Sequence, residues 1–302
     1  MKNLKFLVSL PTRDNDFQTA QASSAQQTAG KLGIGVEVIY AENDAVNQST
    51  QILKAVQAPA GSRPDAVVLE PVSGTALPQV ARAACTAGIG WVVLNRAPDY
   101  LPELRRTTGV PVFSVGSDHV EIGRIQGRQF EALLPKGGSV LYLEGPSHSS
   151  SAQKRTTGMQ ETKPSNVQLT MLKGKWTEES AQRAVHSWLQ LATSQRAAIN
   201  LVGAQDDSMA MGARKAFQEV SDDGERRRWL NLPFTGCDGQ PATGQAWVNK
   251  GWLTATIYIP PLAGKAVEIL AKAFQSGTQP AEHSLTESYS IPPLDVLAAK
   301  GS

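Results

Sequence analysis

Short apolar runs alternate with longer, partly polar stretches from one end of the chain to the other. The runs fall at Lys5–Leu10, Val36–Tyr40, Ala66–Leu69, Trp91–Leu94, Val112–Val115, Val140–Leu143, Ile199–Val202, Phe234–Cys237 and Leu253–Ile259. Each has the length of a buried strand and is rich in Val, Ile, Leu and aromatics, as strands covered on both faces are. Gln168–Leu172 is a weaker candidate. Between the runs, Ala181, Ala184, Val185, Trp188, Leu189 and Ala192 recur at helical spacing. Thr177 supplies a cap for that helix, and Glu178 and Glu179 an acidic first turn. Met209, Ala213, Ala216, Phe217 and Val220 form a second stripe, and Leu262, Ala266, Ile269, Leu270 and Ala273 a third. Residues 14–32 and 47–57 are more polar and are read as helices from their position.

Repeated strand–helix–strand units imply parallel sheets with helices on both faces. The pattern predicts an α/β fold of two doubly wound parallel-sheet lobes with about five or six strands each. The first half ends near Asp118 and the second opens on the helix at Glu121. The polar stretch Ser221–Arg228 reads as a solvated loop rather than as an anion or partner contact.

Composition narrows the classes. Lys plus Arg number 29 and Asp plus Glu 27, a formal net charge of only +2, which argues against a charge-driven nucleic-acid binder. No apolar stretch approaches the roughly 20 residues of a membrane span, so no direct membrane insertion is expected. Cys85 and Cys237 make no disulfide framework, and His119, His148, His186 and His283 lack metal-ligand spacing. No metal and no cofactor is expected. The N-terminal apolar run, Phe6–Leu10, is shorter than the roughly 7–15 residues of a secretory leader. It reads as a first strand, with any leader either trimmed from this chain or never present.

Open parallel sheets bind ligands outside the C-terminal ends of their strands. Those ends carry Arg13-Asp14-Asn15-Asp16-Phe17, Glu70-Pro71-Val72-Ser73, Asn95-Arg96, Ser117-Asp118, Glu144-Gly145-Pro146 with Ser147–Ser151 and Arg155, Gln205-Asp206-Asp207-Ser208, and Asp238-Gly239. Carboxylates, amides, guanidinium groups and hydroxyls together serve as donors and acceptors, which suits the hydroxyls of a sugar or polyol. Phe17 and Trp176 are candidates to cover its apolar C–H faces. A phosphate site would call for a glycine-rich loop, and neither common phosphate-binding motif occurs. Asp118, Ser208 and Asp16 serve equally well as helix caps, and Glu70 reads as support for a turn.

Several segments carry a family resemblance over roughly residues 4–297. They are Val67-Val68-Leu69-Glu70-Pro71, Val93-Leu94-Asn95-Arg96, Val115-Gly116-Ser117-Asp118, Ala204-Gln205-Asp206-Asp207-Ser208-Met209-Ala210-Met211-Gly212, Thr235-Gly236-Cys237-Asp238-Gly239 and Gly251-Trp252-Leu253-Thr254-Ala255-Thr256-Ile257. In this order they resemble the ribose-type, class I periplasmic sugar-binding proteins, whose fold is shared by the effector domains of lactose-repressor-like regulators. The resemblance implies an N-terminal lobe of residues 1–116 with 260–289 and a C-terminal lobe of residues 117–259 with 290–302. It places three hinge crossings near Gly116–Asp118, Thr256–Ile259 and Ser288–Ile291. The ligand contacts it implies fall on Asn15, Phe17, Asn95, Arg96, Arg155, Trp176, Asp206 and Asp238. The chain departs from the family pattern at Asn95 for Asp, Asp206 for Asn, Cys237 for an aromatic and Ile259 for a hinge Gln, and its first loop carries Arg13. The ligand's hydroxyl pattern is therefore expected to differ.

The resemblance implies a monomeric solute receptor that closes on a monosaccharide or polyol and presents it to a membrane ABC permease or sensor protein in the periplasm. A cytoplasmic sensor that docks a signalling partner is the alternative. A transcription regulator would need a DNA-binding module ahead of the strand at Lys5, which leaves no room for one. An enzyme would need a nucleophile–base constellation; Asp206 and Asp207 with Asp238 are the acids to consider for glycoside chemistry, and none is evident.

Overall fold

The structure is a computed structural model that describes residues 4–301 except 15, 73–75, 193 and 195–197. By its contacts the chain divides into two compact units, Met1–Ser117 with Pro261–Thr286 and Asp118–Pro260 with Glu287–Ser302. The chain therefore passes from one unit to the other after Ser117, after Pro260 and after Thr286.

In chain order the first unit begins β1 (Lys5–Leu10), α1 (Asp16–Leu32), β2 (Gly35–Tyr40), α2 (Ala45–Val56), β3 (Ala66–Leu69), α3 (Pro78–Thr86), β4 (Gly90–Leu94), α4 (Leu101–Thr107) and β5 (Val112–Ser117). The second contributes α5 (His119–Leu133), β6 (Gly138–Glu144), α6 (Ser150–Thr162), β7 (Val167–Lys173), α7 (Glu178–Leu189), β8 (Leu201–Ala204), α8 (Asp207–Gln218), α9 (Asp223–Leu230), β9 (Phe234–Thr235), α10 (Ala246–Asn249) and β10 (Thr256–Tyr258). The first unit resumes with α11 (Leu262–Ser276) and β11 (His283–Thr286), and the second ends with β12 (Tyr289–Ile291) and α12 (Leu294–Gly301).

The first unit holds a six-stranded sheet in the order β11-β5-β4-β3-β1-β2, parallel throughout. Its inner strands β1, β3, β4 and β5 are buried on both faces, which is why they read as continuous apolar runs. Along β1, Phe6, Val8 and Leu10 join a core with α1 and α11, while Leu7 joins the opposite core with Ile52, Val80, Trp91 and Leu104. The second unit has a parallel sheet ordered β7-β6-β8-β9 and a separate antiparallel pair, β10-β12. Thr235 and Asp238 make single parallel bridges to Ala255 and Tyr258, so β10 runs beside the end of β9.

The strand expectations need four corrections. Gln168–Leu172 lies in a full seven-residue strand, Val167–Lys173. The run Leu253–Ile259 yields only Thr256–Tyr258, and Phe234–Cys237 only Phe234–Thr235. The run Ile199–Val202 begins its strand two residues later, at Leu201. The polar edge strands β11 and β12 have no apolar run to announce them, and they bring the described strands to twelve.

Ser221–Arg228 is not a loop. Asp222 caps α9, its carboxylate accepting from Glu225 N at 2.8 Å. Arg226 and Arg228 bind Asp223 and Glu225 along the same helix, and Arg228 also lies over the ring of Trp229. The helix is anchored by Trp229, which is buried and stacks on Phe217 with ring centroids 5.0 Å apart.

Side-chain caps set six of the described helix starts: Asp44 for α2, Asp118 for α5, Ser149 for α6, Thr177 for α7, Asp206 for α8 and Asp222 for α9. Helices α5 and α6 approach backbone to backbone. A Cβ at Gly158 would stand 1.9 Å from Val120 O, and one at Gly123 would stand 2.1 Å from Arg155 O. That contact sets the base of the Arg155 side chain.

Candidate functional site

Strand order reverses on either side of β1 in the first unit and β6 in the second, and crevices of open sheets lie at such points. Each unit presents its own set of polar residues there.

In the first unit, Glu70 follows β3 directly and is buried. Its carboxylate accepts from Asn95 Nδ2 at 3.2 Å and from Gln21 Nε2 at 3.1 Å. Burial raises its pKa, against the hydrogen bonds from Gln18, Asn95 and Gln21 and the charge of Arg96. Glu70 therefore supports side chains rather than the turn it was expected to support. Arg96, half-buried beside it, has its pKa lowered by desolvation, with Glu70 acting the other way. Asn95 sits at φ 64°, a left-handed conformation that costs a non-glycine residue roughly 1 kcal/mol or more. Phe17, in the first turn of α1, is buried. Asn15 lies outside the described residues.

Gln48 is a residue that the sequence reading missed. From α2 its Nε2 donates to Ser9 Oγ at 3.2 Å and Glu70 O at 2.9 Å, and its Oε1 accepts from Val72 N at 3.0 Å. It fastens the ends of β1 and β3 together. The available signal was its place on one helix face with Ile52 and Val56.

In the second unit, Arg155, Trp176, Asp206 and Asp238 come together. Arg155 is buried; one terminal nitrogen donates to Gln205 O, and another lies 3.9 Å from Asp238 Oδ1. Its buried Nε has no hydrogen-bond partner among the described residues. The guanidinium carbon stands 5.5 Å from the centroid of the Trp176 ring. Burial works against the Arg155 charge, but Cys237, Asp238 and Asp206 more than offset it, and the pKa lies above the ordinary arginine value. Asp206 caps α8, its Oδ1 accepting from Met209 N at 2.6 Å. Trp176 and Asp238 both hold positive φ, 62° and 103°. Three of the eight expected contacts, Asn95 included, thus occupy strained backbone, which clusters at ligand sites.

Gln205 was read as part of a strand end but not as a site residue. Its amide bridges Tyr142 OH at 3.1 Å, Ala152 O at 3.0 Å and Thr156 Oγ1 at 2.9 Å, and accepts from Gly145 N at 2.9 Å. It organises the floor under Arg155. Cys237 is buried and its thiol is pushed up by desolvation. Asp207 is also buried, and burial pushes it up to about 8 despite hydrogen bonds from Thr256 and Gly239. Among the described residues no cluster of His, Cys, Asp and Glu could hold a metal ion.

Two α/β units joined by three crossings, each with a parallel sheet and with donors and acceptors at its strand ends, define a two-lobed ligand-binding protein. Residues 6–279 match the family model described as periplasmic binding protein domain, and the chain belongs to that family. It is 26% identical over 266 residues to the ribose import binding protein RbsB of Escherichia coli (strain K12), covering 87% of this chain and 82% of that protein. It is 25% identical over 273 residues to the D-apiose import binding protein of Paraburkholderia graminis, covering 89% and 80%. Among solved structures it shares its fold with an ABC transporter periplasmic solute binding protein from Actinobacillus succinogenes with bound D-allose. That match has a TM-score of 0.80 and 20% identity over 99% of this chain and all of that one (100%). A galactofuranose binding protein gives a TM-score of 0.79 at 22% identity, covering 99% and 98%.

Proposed function

We propose that this chain is a solute-binding protein that captures a neutral monosaccharide or polyol for an ABC-type importer. The observation that carries the reading is a guanidinium with acid and amide partners at the strand ends of each unit: Arg96 with Glu70 and Asn95, and Arg155 with Asp206 and Asp238. Such sets offer donors and acceptors in near balance, which hydroxyl groups match and a polyanion does not. Family membership and the names of the relatives, which include ribose and D-apiose import binding proteins, support a sugar.

In this reading Arg96, Asn95 and Phe17, with Asn15, contact the ligand from the first unit. Arg155, Asp206 and Asp238 contact it from the second, and Trp176 covers its C–H face. The units close on the ligand by movement at the three crossings, and closure is what the permease reads. No bond is broken. The place of action is the periplasm, as the family implies. The test is thermal melting against D-ribose, D-allose, D-apiose, D-galactose, L-arabinose and myo-inositol. One or more should raise the melting temperature with one-to-one stoichiometry. A panel without any shift overturns the reading.

A further inference from the structure

A buried carboxylate stands behind the candidate contacts in each unit, and neither belongs to the contact set itself. In the first unit Glu70 accepts from Asn95 on one oxygen and from Gln21 on the other. The Gln21 amide oxygen in turn accepts from Ala263 N at 2.8 Å. Ala263 is the second residue of α11, just past the crossing after Pro260.

In the second unit Asp207 Oδ2 accepts from Gly239 N at 2.7 Å, next to Asp238, and Oδ1 accepts from Thr256 Oγ1 at 2.6 Å. Thr256 opens β10, the strand that runs up to the same crossing. The carboxylate is enclosed by backbone. A Cβ at Gly236 would lie 2.2 Å from Oδ1, and one at Gly244 would lie 2.1 Å from Oδ2. Glycine at both places leaves Asp207 its space.

We propose that Glu70 and Asp207 are a pair of positioning residues: each ties a ligand-contact segment of its own unit to the chain flanking the Pro260–Pro261 crossing, one on either side. The ligand part rests on the sugar-capture reading; the tie between segments does not. Each carboxylate gathers two donors that lie far apart in sequence, and losing it frees both segments together. An amide keeps most of the arrangement. In Asp207→Asn the oxygen still accepts from Gly239 while the NH2 donates to the Thr256 hydroxyl. In Glu70→Gln the oxygen accepts from Gln21, and a turned Asn95 amide accepts from the new NH2.

The test compares Asp207→Ala, Asp207→Asn, Glu70→Ala and Glu70→Gln by amide hydrogen exchange without ligand and by calorimetric titration with D-ribose and D-allose. Asp207→Ala should speed exchange about tenfold or more at residues 238–240 and 255–258, and Glu70→Ala at residues 95–97 and 263–265. Both should weaken sugar affinity about tenfold at unchanged stoichiometry, a readout that a general loss of stability would not move, and the amides should restore both. Should an alanine variant fail to fold, Thr256→Val and Gln21→Met each remove one link and should free the same crossing-side segments. Unchanged exchange there, a rise spread evenly over the unit, or no rescue by the amides overturns the proposal. If neither sugar binds the unaltered protein, the sugar reading fails for those sugars and exchange alone decides the positioning roles.

Discussion

In the first unit the guanidinium at the strand ends, Arg96, is half-buried and faces Glu70, which amides already engage. In the second, Arg155 is buried, shares its surroundings with Asp206, Asp207 and Asp238, lies beside Trp176 and keeps an unpaired Nε. A buried charge held by several acids contributes more to a desolvated ligand than an exposed one, and leaving its partners unpaired costs more. The second unit is therefore expected to dominate affinity, with the first setting orientation.

The largest test of that contrast is Arg155→Ala against Arg96→Ala. Removing one member of a buried charged pair costs ~2–5 kcal/mol, so Arg155→Ala should weaken sugar binding by about 30-fold to over a thousandfold. Arg96→Ala should lose about tenfold, near 1.4 kcal/mol, and equal losses by calorimetry would break the comparison. Next comes Trp176→Ala, which should lose about tenfold in affinity with little change in melting temperature, since the ring is only part-buried. Phe17→Ala should lower affinity and also stability, the latter by ~2 kcal/mol or more through a buried cavity, as denaturant titration would show.

Asp207 sharpens the picture through pH. Its folded value of about 8 lies above the ordinary 3.8, so between those values the folded chain keeps a proton that the unfolded chain has lost. Its contribution to stability is full below about pH 4, falls as pH rises toward 8, and levels off above that. Asp207→Asn should abolish this slope, and melting temperatures of the two proteins from pH 4 to 9 should diverge until about pH 8. The smallest expected effect is that of Arg227→Gln in α9, whose guanidinium binds only its own helix at Asp223 O; melting and affinity should stay within about 0.5 kcal/mol.

The legible parts of the fold were those where burial leaves a one-dimensional trace. Ala66–Leu69 could be bounded to the residue because all four side chains are buried. The edge strand His283–Thr286 alternates exposed and half-buried and leaves no apolar run. Helix α9 escaped notice because three consecutive arginines masked the single buried anchor, Trp229. At the site, strand-end position pointed to Arg155, Asp206 and Asp238, and the need for an aromatic cover together with the family resemblance pointed to Trp176; the fold brings the four together. The buried amides and acids that hold them could not be read this way. Gln21, Gln48 and Gln205 act through partners 22 to 242 positions away, and no spacing rule encodes such pairs.

The central claim of the proposed function is that Arg96 and Arg155 both contact the bound sugar. The most direct measurement is an NMR titration with the stabilising sugar, following the Nε–H signals of Arg96 and Arg155. Both signals should shift and saturate together at one sugar per chain. A shift in Arg155 or Arg96 alone, or in neither while the sugar binds, would contradict the account.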